Sequence, residues 1–549
     1  MALRTLYQAY LHSDIGRLRI IARQWGLEPQ AVRHTDLAAE LVSAILDAEK
    51  ISQVIAALPL SNRDALDDIL RRGGMMPWSS FLRRWGPMRE VGMGKMEREE
   101  LWRDPCSPAE ALWLLGLLQR DFTEDLSDPI EMAYIPEQLQ LYIPEPDPAI
   151  IHSLQPEETD SEGASYSVND TMAEDLVTWW IAIQKAQATD VENTLAQLHK
   201  PVYLRESLCR TLSLEQDWVR FDQEQDVHMN PEPVLKWLRA DLWTQWSSLA
   251  RAWVESMQWH DIDYIPSLYV DPANDWAPNP LQARQAVLDW LPQCKVGSWY
   301  SLIKFVAYIK SYTPDFMRPD GNYERWAPRD RISDRPLRGF ESWDDIEGAY
   351  IRFLMTGPLS WFGIVDVKKA QNDNHSDIFQ LTHAGAALLG VGEPPHIPAP
   401  TRMTIEHNGI LLVPNQRHYE RYQLSRIAQL ESFDTVSQFR ITPRSLKRAQ
   451  QRNIPLPRII NFLEQASGQQ IPSQLGTAME RSYHQHSYAS LQHLWLLRVP
   501  EMNDATIPAL QDYIVEQLTP TILVIQERDR ACVIAILYAQ GILVDVSDR

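Results

Sequence analysis

The residues best suited to binding chemistry are cations between residues 401 and 460. This segment holds ten Lys and Arg against four Asp and Glu, in a chain whose formal charge is −21. Thr442 and Pro443 predict a helix start, and cations then recur from Arg444 at intervals of three, one and four residues. They share much of one helical face, which suits phosphate contacts; the alternative is an ordinary solvated face. The candidate DNA-binding residues are Arg440, Arg444, Lys447, Arg448, Arg452 and Arg458.

A second candidate lies between residues 318 and 343, where six Arg alternate with aromatic residues. Guanidinium groups beside aromatic rings suit nucleic-acid binding, because bases stack on the rings while phosphates pair with the cations. Five acids lie in the same segment. A structural loop of ion pairs and buried aromatic rings is therefore the favoured alternative. The secondary candidates are Arg318, Tyr323, Arg325, Trp326 and Arg338.

The arrangements that catalysis requires are missing from the sequence. Gly92 and Gly94 lie beside Lys95, but without the spacing of a phosphate-binding Walker A loop. There is no GxGxxG after a predicted strand, no HExxH and no GxSxG. The many carboxylates form no pair in an apolar setting, so acid–base catalysis has no candidates. The sequence predicts a protein with no catalytic residues, no cofactor and no metal site.

The elements that position these residues predict a mainly α, α+β fold. Residues 63–86 predict a helix, a Gly-Gly turn and a second helix. Ser107, with Glu110 three residues later, predicts a capping box at the start of a third helix. The apolar stretches MAYIP and LQLYIP then predict an extended pair. Three helices followed by a hairpin are typical of a winged helix.

The same plan recurs in residues 281–392, which predict a further winged helix. Tryptophans between residues 171 and 275 recur near one helical stripe, which favours packed core over a base-stacking platform. The last 150 residues predict an α+β unit. There we expect a helix containing Leu424, Ile427 and Leu430, strands at LWLLRVP and TILVIQE, and a final helix near residues 531–539.

Composition limits the class of protein. A charge of −21 argues against coating nucleic acid through bulk electrostatics, so any contact must come from a local basic face. The four cysteines are scattered without metal-ligand spacing, as in a reducing interior. The start lacks the apolar core of a signal peptide, and no run of 18 apolar residues occurs. We expect a cytoplasmic protein.

The C-terminal part resembles the non-catalytic N-terminal domain of XPB-type DNA helicases. Its marks are a strand ending in Pro, a helix, the stretch V-S-x-F-R-I-T-P-x-S-L from residue 436 to 446, and I-x-x-F-L-E-x-x-S from 459 to 467. The rest is similar to bacterial proteins that carry this module as a free-standing chain without the helicase motor. The segments that carry this second resemblance are residues 318–321, 338–343 and 353–361.

The domain organisation combines these patterns. From Asp121 to Asp175 there are 15 acids and no Lys or Arg. The latter half of this stretch predicts an exposed linker, which is either solubilising or fitted to a neighbouring basic groove. Within the first domain, residues 14–46 faintly resemble a SAP-like helical pair. The predicted domains are 1–145 (SAP-like segment and first winged helix), 146–170 (acidic linker), 171–275 (Trp-rich, winged-helix-like), 276–395 (winged helix) and 396–549 (helicase-associated).

Two functional hypotheses follow. The resemblance implies a non-enzymatic DNA-binding accessory protein, associated with an XPB-like helicase in DNA repair or transcription. It does not imply helicase activity, because the ATP-binding and motor motifs are absent. The alternative is a protein–protein scaffold or regulator built on winged helices without direct DNA binding, which the negative charge favours and which fold alone cannot decide. The expected partners are DNA and an XPB-like helicase, with no membrane.

Overall fold

The computed structural model of the chain forms two compact units. Unit 1 comprises residues 1–401 and 414–423, and unit 2 comprises residues 402–413 and 424–549. The fold is mixed α and α+β, as predicted, while the predicted domain boundaries stay predictions. Of the predicted acidic linker, only residues 154–157 are described. The described residues are 4–123, 129–144, 154–157, 171–184, 188–221, 227–271, 277–369, 377–406, 408–433, 436–485, 494–499, 509–519, 521–540 and 542–546.

The first part of unit 1 packs helices around a small antiparallel sheet. Apolar residues at helical spacing, such as Leu18, Ile21 and Leu41, are buried in its core. The first strand of the sheet pairs with the third, which also pairs with the second. The elements are α1 (Leu6–Leu11), α2 (Ile15–Gln24), α3 (His34–Ile45), α4 (Ala48–Ala56), α5 (Leu60–Arg71), β1 (Met75–Pro77), α6 (Trp78–Trp85), α7 (Met93–Arg98), α8 (Pro108–Leu114), β2 (Gln119–Phe122), β3 (Glu131–Tyr134) and α9 (Glu137–Gln140).

The predicted pairing of two extended segments, MAYIP and LQLYIP, was wrong in part. MAYIP forms most of β3, but its partners are β1 and β2, and LQLYIP is not a strand. After Ile135 donates to the carbonyl of Gly74 (2.8 Å), Pro136 opens the short helix α9. The reason is local, because the fixed φ of proline and an acid in the first turn both favour a helix start.

The predicted capping box of α8 forms only in part. Ser107 Oγ accepts a hydrogen bond from the Glu110 amide at 3.0 Å. The Glu110 carboxylate instead accepts from the amide of Cys106 (2.8 Å) and from the guanidinium of Arg89 (2.6 Å). The carboxylate of Glu110 is fully buried and needs a positive charge beside it. Arg89 supplies that charge, whereas the backbone amide of a capping box is neutral.

The middle of unit 1 is built around tryptophan. Trp180 contacts Trp218 and Trp237 edge to face, with ring centroids 5.4 Å apart in each pair. Trp246 and Trp253 are buried in the same core, so the prediction of packed core is confirmed. The elements here are α10 (Thr171–Ile183), α11 (Ala188–Leu195), α12 (Val202–Glu215), β4 (Val219–Phe221), β5 (Val227–Met229), α13 (Pro231–Arg239), α14 (Leu242–Val254) and β6 (Leu268–Tyr269).

The last part of unit 1 repeats the order of elements found near the N-terminus. A helix, a strand and further helices lead into two strands, and the first strand again pairs with the third, which lies in the middle of the sheet. Its buried side chains continue the tryptophan-rich core. The elements are α15 (Pro280–Leu288), β7 (Trp299–Ser301), α16 (Leu302–Tyr312), β8 (Arg329–Asp330), α17 (Trp343–Thr356), α18 (Pro358–Trp361), β9 (Val365–Lys368), β10 (Ile378–Leu381) and α19 (His383–Leu388).

The remaining elements form two sheets with helices, in the orders β11-β12-β14-β13 and β15-β17-β16. Strands β15 and β17 and the last helix were predicted. Strand β16 was not, because its side chains are largely exposed and show no apolar alternation. The elements are β11 (Thr404–Ile405), β12 (Ile410–Pro414), α20 (His418–Ile427), β13 (Gln429–Phe433), β14 (Val436–Arg440), α21 (Pro443–Gln451), α22 (Leu456–Ser467), α23 (Ser473–Glu480), β15 (Leu494–Arg498), β16 (Ile514–Thr519), β17 (Ile522–Gln526) and α24 (Arg530–Ala539).

One predicted helical residue of this region lies on a strand. Helix α20 ends at Ile427, and Leu430 lies on β13, where it pairs with Phe439 of β14. Both side chains pack on the core that contains Leu446. The pairing with β14 lies several residues further along the chain, so helical spacing alone could not reveal it.

Candidate nucleic-acid interface

Helix α21 begins where the sequence predicts, because its first turn is capped from both directions. Thr442 Oγ1 accepts a hydrogen bond from the Ser445 amide at 3.1 Å, and Ser445 Oγ accepts one from the Thr442 amide at 3.0 Å. Pro443 occupies the first helical position, where its missing amide hydrogen costs nothing. The start of the basic helix is therefore fixed locally.

The helix has one buried and one exposed face. Ser445, Leu446 and Ala449 are buried, whereas Arg444 and Lys447 are exposed. Helix α22 repeats the division, with three buried leucine and isoleucine residues and an exposed cation at its start. We call the exposed residues of these two helices the α21–α22 cations: Arg444, Lys447, Arg452 and Arg458.

The field around these cations is not cancelled by neighbours in sequence. Residues 435–463 contain six Lys and Arg and no Asp or Glu. Exposed like charges on one segment attract an anion additively at close range, and salt screens them over about 10 Å. The segment can therefore hold phosphate through solvent-exposed contacts.

The contacts of the other two predicted site residues, Arg440 and Arg448, hold their guanidinium groups against the protein. Arg440 forms an ion pair with Glu431 on the neighbouring strand, with Nη2 3.1 Å from Oε2. Hydrogen bonding to this carboxylate raises the pKa of Arg440 above its usual range. Arg448 is half-buried, and its Nη2 donates to the carbonyl of Ala428 at 3.1 Å and to that of Ser425 at 3.5 Å. The sequence grouped both with the exposed cations, but in the structure Arg440 pairs with Glu431 and Arg448 contacts the end of α20.

The centre of the secondary candidate loop is buried. Arg318 is 1% exposed and forms an ion pair with Glu347, with Nε 2.6 Å from Oε1. Its Nη1 donates to the carbonyl of Trp326 at 2.7 Å, and its guanidinium lies 5.1 Å from the ring centroid of that residue. Arg325 and Arg338 are exposed. The interior position of Arg318 and Trp326 favours the structural loop over a nucleic-acid contact.

Tyr323 joins this loop to the N-terminal part of unit 1. It is buried, and its hydroxyl donates a hydrogen bond to Asp315 Oδ1 at 2.9 Å. Arg83 of α6 forms an ion pair with Asp315 and lies 4.7 Å from the ring centroid of Tyr323. Ser79 Oγ donates to the carbonyl of Asp320 at 2.7 Å. The loop therefore binds α6 through hydrogen bonds and an ion pair. The sequence could not reveal this role, because the contacting residues lie more than 230 positions apart.

Gly321 fits this contact for a physical reason. Its φ is +65°, a conformation that side chains rarely adopt, and an added Cβ would meet the hydroxyls of Ser79 and Ser80. Its carbonyl accepts from Arg83 Nη1 at 3.2 Å. Only glycine allows the loop to approach α6 this closely.

An open groove of about 700 Å³ lies along α22 and α23. Its polar lining includes Glu464, Glu480, Arg481 and His484. Two carboxylates against one permanent cation do not favour phosphate inside the groove. The anion-binding potential of this region therefore lies with the exposed cations.

Charge is distributed unevenly between the two units. Unit 2 contains 13 Lys and Arg and 13 Asp and Glu, so its formal charge is zero and the whole −21 belongs to unit 1. The helices that precede the paired strands in unit 1 also carry little positive charge. Helix α8 has no Lys or Arg, and α17 exposes Asp344 and Asp345 beside Arg352, which donates to the carbonyl of Asp344.

Metal-ligand residues and thiols are dispersed in the described part of the chain. Within it, no three His, Cys, Asp or Glu are grouped so as to hold a metal ion. All four cysteines are unpaired thiols, and burial raises the pKa of Cys294 to about 12. No helix of the described residues combines the length and apolar character needed to cross a membrane.

Comparison with known proteins places one domain. Residues 403–512 match the family described as helicase conserved C-terminal domain. This domain is helicase-related. The match covers about a fifth of the chain and includes the whole of α21 and α22. A domain of this kind indicates association with nucleic acid or with a helicase. Among curated proteins, no match to the chain was found.

Proposed function

We propose that this protein is a non-enzymatic DNA-binding accessory protein, associated with an XPB-like helicase in DNA repair or transcription. The observation that carries the proposal is the acid-free segment 435–463, which lies inside the helicase-related domain. Four of its six cations are exposed on or beside two helices with buried opposite faces. DNA would be held through its phosphates, with little base readout.

The XPB-type resemblance adds the helicase link. The stretch from residue 436 to 446 forms strand β14 and the capped start of α21. The hydroxyls of Thr442 and Ser445 therefore have a structural task, and Arg444 lies on the exposed face of α21. The absence of motor motifs from the sequence supports an accessory role over ATP-driven unwinding.

We further propose that the two repeated element orders in unit 1 are winged helices. Each consists of a helix, a strand, further helices and a strand pair whose second strand lies in the middle of a three-stranded sheet. In such modules the helix before the strand pair often enters a DNA groove. Here those helices carry acids or no Lys and Arg, so DNA contact is assigned to unit 2.

Fluorescence anisotropy of the full chain with labelled single-stranded, duplex and forked DNA tests the proposal. We expect binding that weakens steeply between about 50 mM and about 200 mM salt. No binding to any of the three DNAs at low salt would remove DNA from the function.

A protein–protein scaffold or regulator is the second candidate. It is favoured by the concentration of negative charge in unit 1 and by the acidic exposed side chains of α17. Affinity purification of the full chain from its native cell, followed by mass spectrometry, tests it. Recovery of a helicase subunit without DNA affinity in the purified protein would select this function.

A further inference from the structure

Arg448 differs from its basic neighbours in what its side chain contacts. The side chain is half-buried, and one guanidinium nitrogen reaches the carbonyls of Ala428 and Ser425. Helix α20 ends at Ile427, so both carbonyls lie at its C-terminal end, where backbone acceptors outnumber the helical donors. Arginine at this position satisfies backbone acceptors and complements the negative end of the helix dipole.

This contact adds to the restraints on the orientation of α21. Leu446 and Ala449 bury one side of the helix in the core of unit 2, and Arg448 lies at the margin between buried and exposed faces. Its bonds to the end of α20 restrain rotation of α21 about its axis. Arg444 and Lys447, on the same helix, then project in one fixed direction.

We propose that Arg448 is a positioning residue for phosphate binding, acting through the end of α20 rather than touching DNA. The inference rests on the proposed function, because it assigns a role within the same site. The nitrogen that reaches both carbonyls is the terminal Nη2, which is one bond farther from the backbone than the ammonium nitrogen of a lysine would be. Charge alone therefore does not replace Arg448.

The test compares R448K and R448A with K447A and with the control R98K in the full chain, using salt-dependent anisotropy with duplex DNA. We expect R448K to weaken binding about tenfold, as the loss of a charged hydrogen bond suggests, while the slope of log affinity against log salt stays unchanged. R98K should bind normally, because Arg98 is exposed and lies outside the proposed site. K447A should lose about 0.9 of slope. Normal binding by R448K, or a slope loss in R448A equal to that of K447A, would overturn the inference.

Amide hydrogen exchange of the DNA-free variants gives a readout that does not depend on DNA binding. R448K should exchange faster at the end of α20 and along α21, whereas K447A should not. If the wild type binds no DNA, the proposed function fails, and faster exchange in R448K would still support the positioning of α21. Unchanged exchange in R448K would overturn the positioning role itself.

Discussion

Removing the cations of α21 should reduce the salt dependence of DNA binding by a calculable amount. Arg444, Lys447 and Arg452 are exposed along a helix of nine residues, which is about 13 Å long. That length spans several phosphates of a duplex, so each cation can meet a different one. With the four α21–α22 cations engaged, the slope of log affinity against log salt should be about −3.6.

The triple variant R444A/K447A/R452A should bring this slope to about −0.9, since each lost phosphate contact removes about 0.9. For the wild type, affinity should fall about 150-fold between about 50 mM and about 200 mM salt, and for the variant only about threefold. All three side chains are exposed, so the free energy of unfolding should change by less than about 1 kcal/mol. Anisotropy with labelled duplex DNA measures the slopes.

A matched control distinguishes the effect of removing the α21 cations from the effect of changing the overall charge. Arg63, Arg98 and Arg103 are exposed residues of unit 1, and R63A/R98A/R103A changes the formal charge by the same amount. This control should keep the wild-type slope. An unchanged slope in the α21 variant, or an equal loss in the control, would refute the assignment of phosphate contacts to α21.

Three further predictions concern the framework of unit 1. R284L should lower the free energy of unfolding by about 3–5 kcal/mol in urea titrations, because it leaves the carboxylate of Asp261, which is 1% exposed, without its counter-ion; a loss below about 1 kcal/mol would contradict this. G321A should destabilise by about 1–3 kcal/mol and by more than G390A, since both glycines have positive φ but only Gly321 has neighbours within contact of an added Cβ; equal losses would argue against close packing. Burial, with a smaller contribution from a nearby arginine, lowers the pKa of His418 to about 3. Its neutral form therefore stabilises the fold fully above pH about 6.5, the pKa of an unfolded histidine. The free energy of unfolding should fall by about 2 kcal/mol between pH 7 and pH 5. That part of the pH dependence should vanish in H418Q, and its persistence there would assign the titration to other groups.

Local signals predicted much of the secondary structure. The Thr442-Pro443 start of α21 and the strands β15 and β17 were predicted. Each depends on residues within a few positions of one another, where capping chemistry and apolar periodicity act. Predictions were wrong where pairing with a distant strand decided the outcome, as at Leu430, or where a proline opened a short helix after β3.

The sequence by itself determined that a basic, acid-free segment exists and that its helix presents cations on one face. Only the tertiary structure decided which cations remain exposed. Arg440 pairs with Glu431 and Arg448 with backbone carbonyls some 20 residues earlier, while Arg318 is buried against Glu347. Charge and spacing are properties of the chain, but burial and ion pairing depend on partners that only folding brings together.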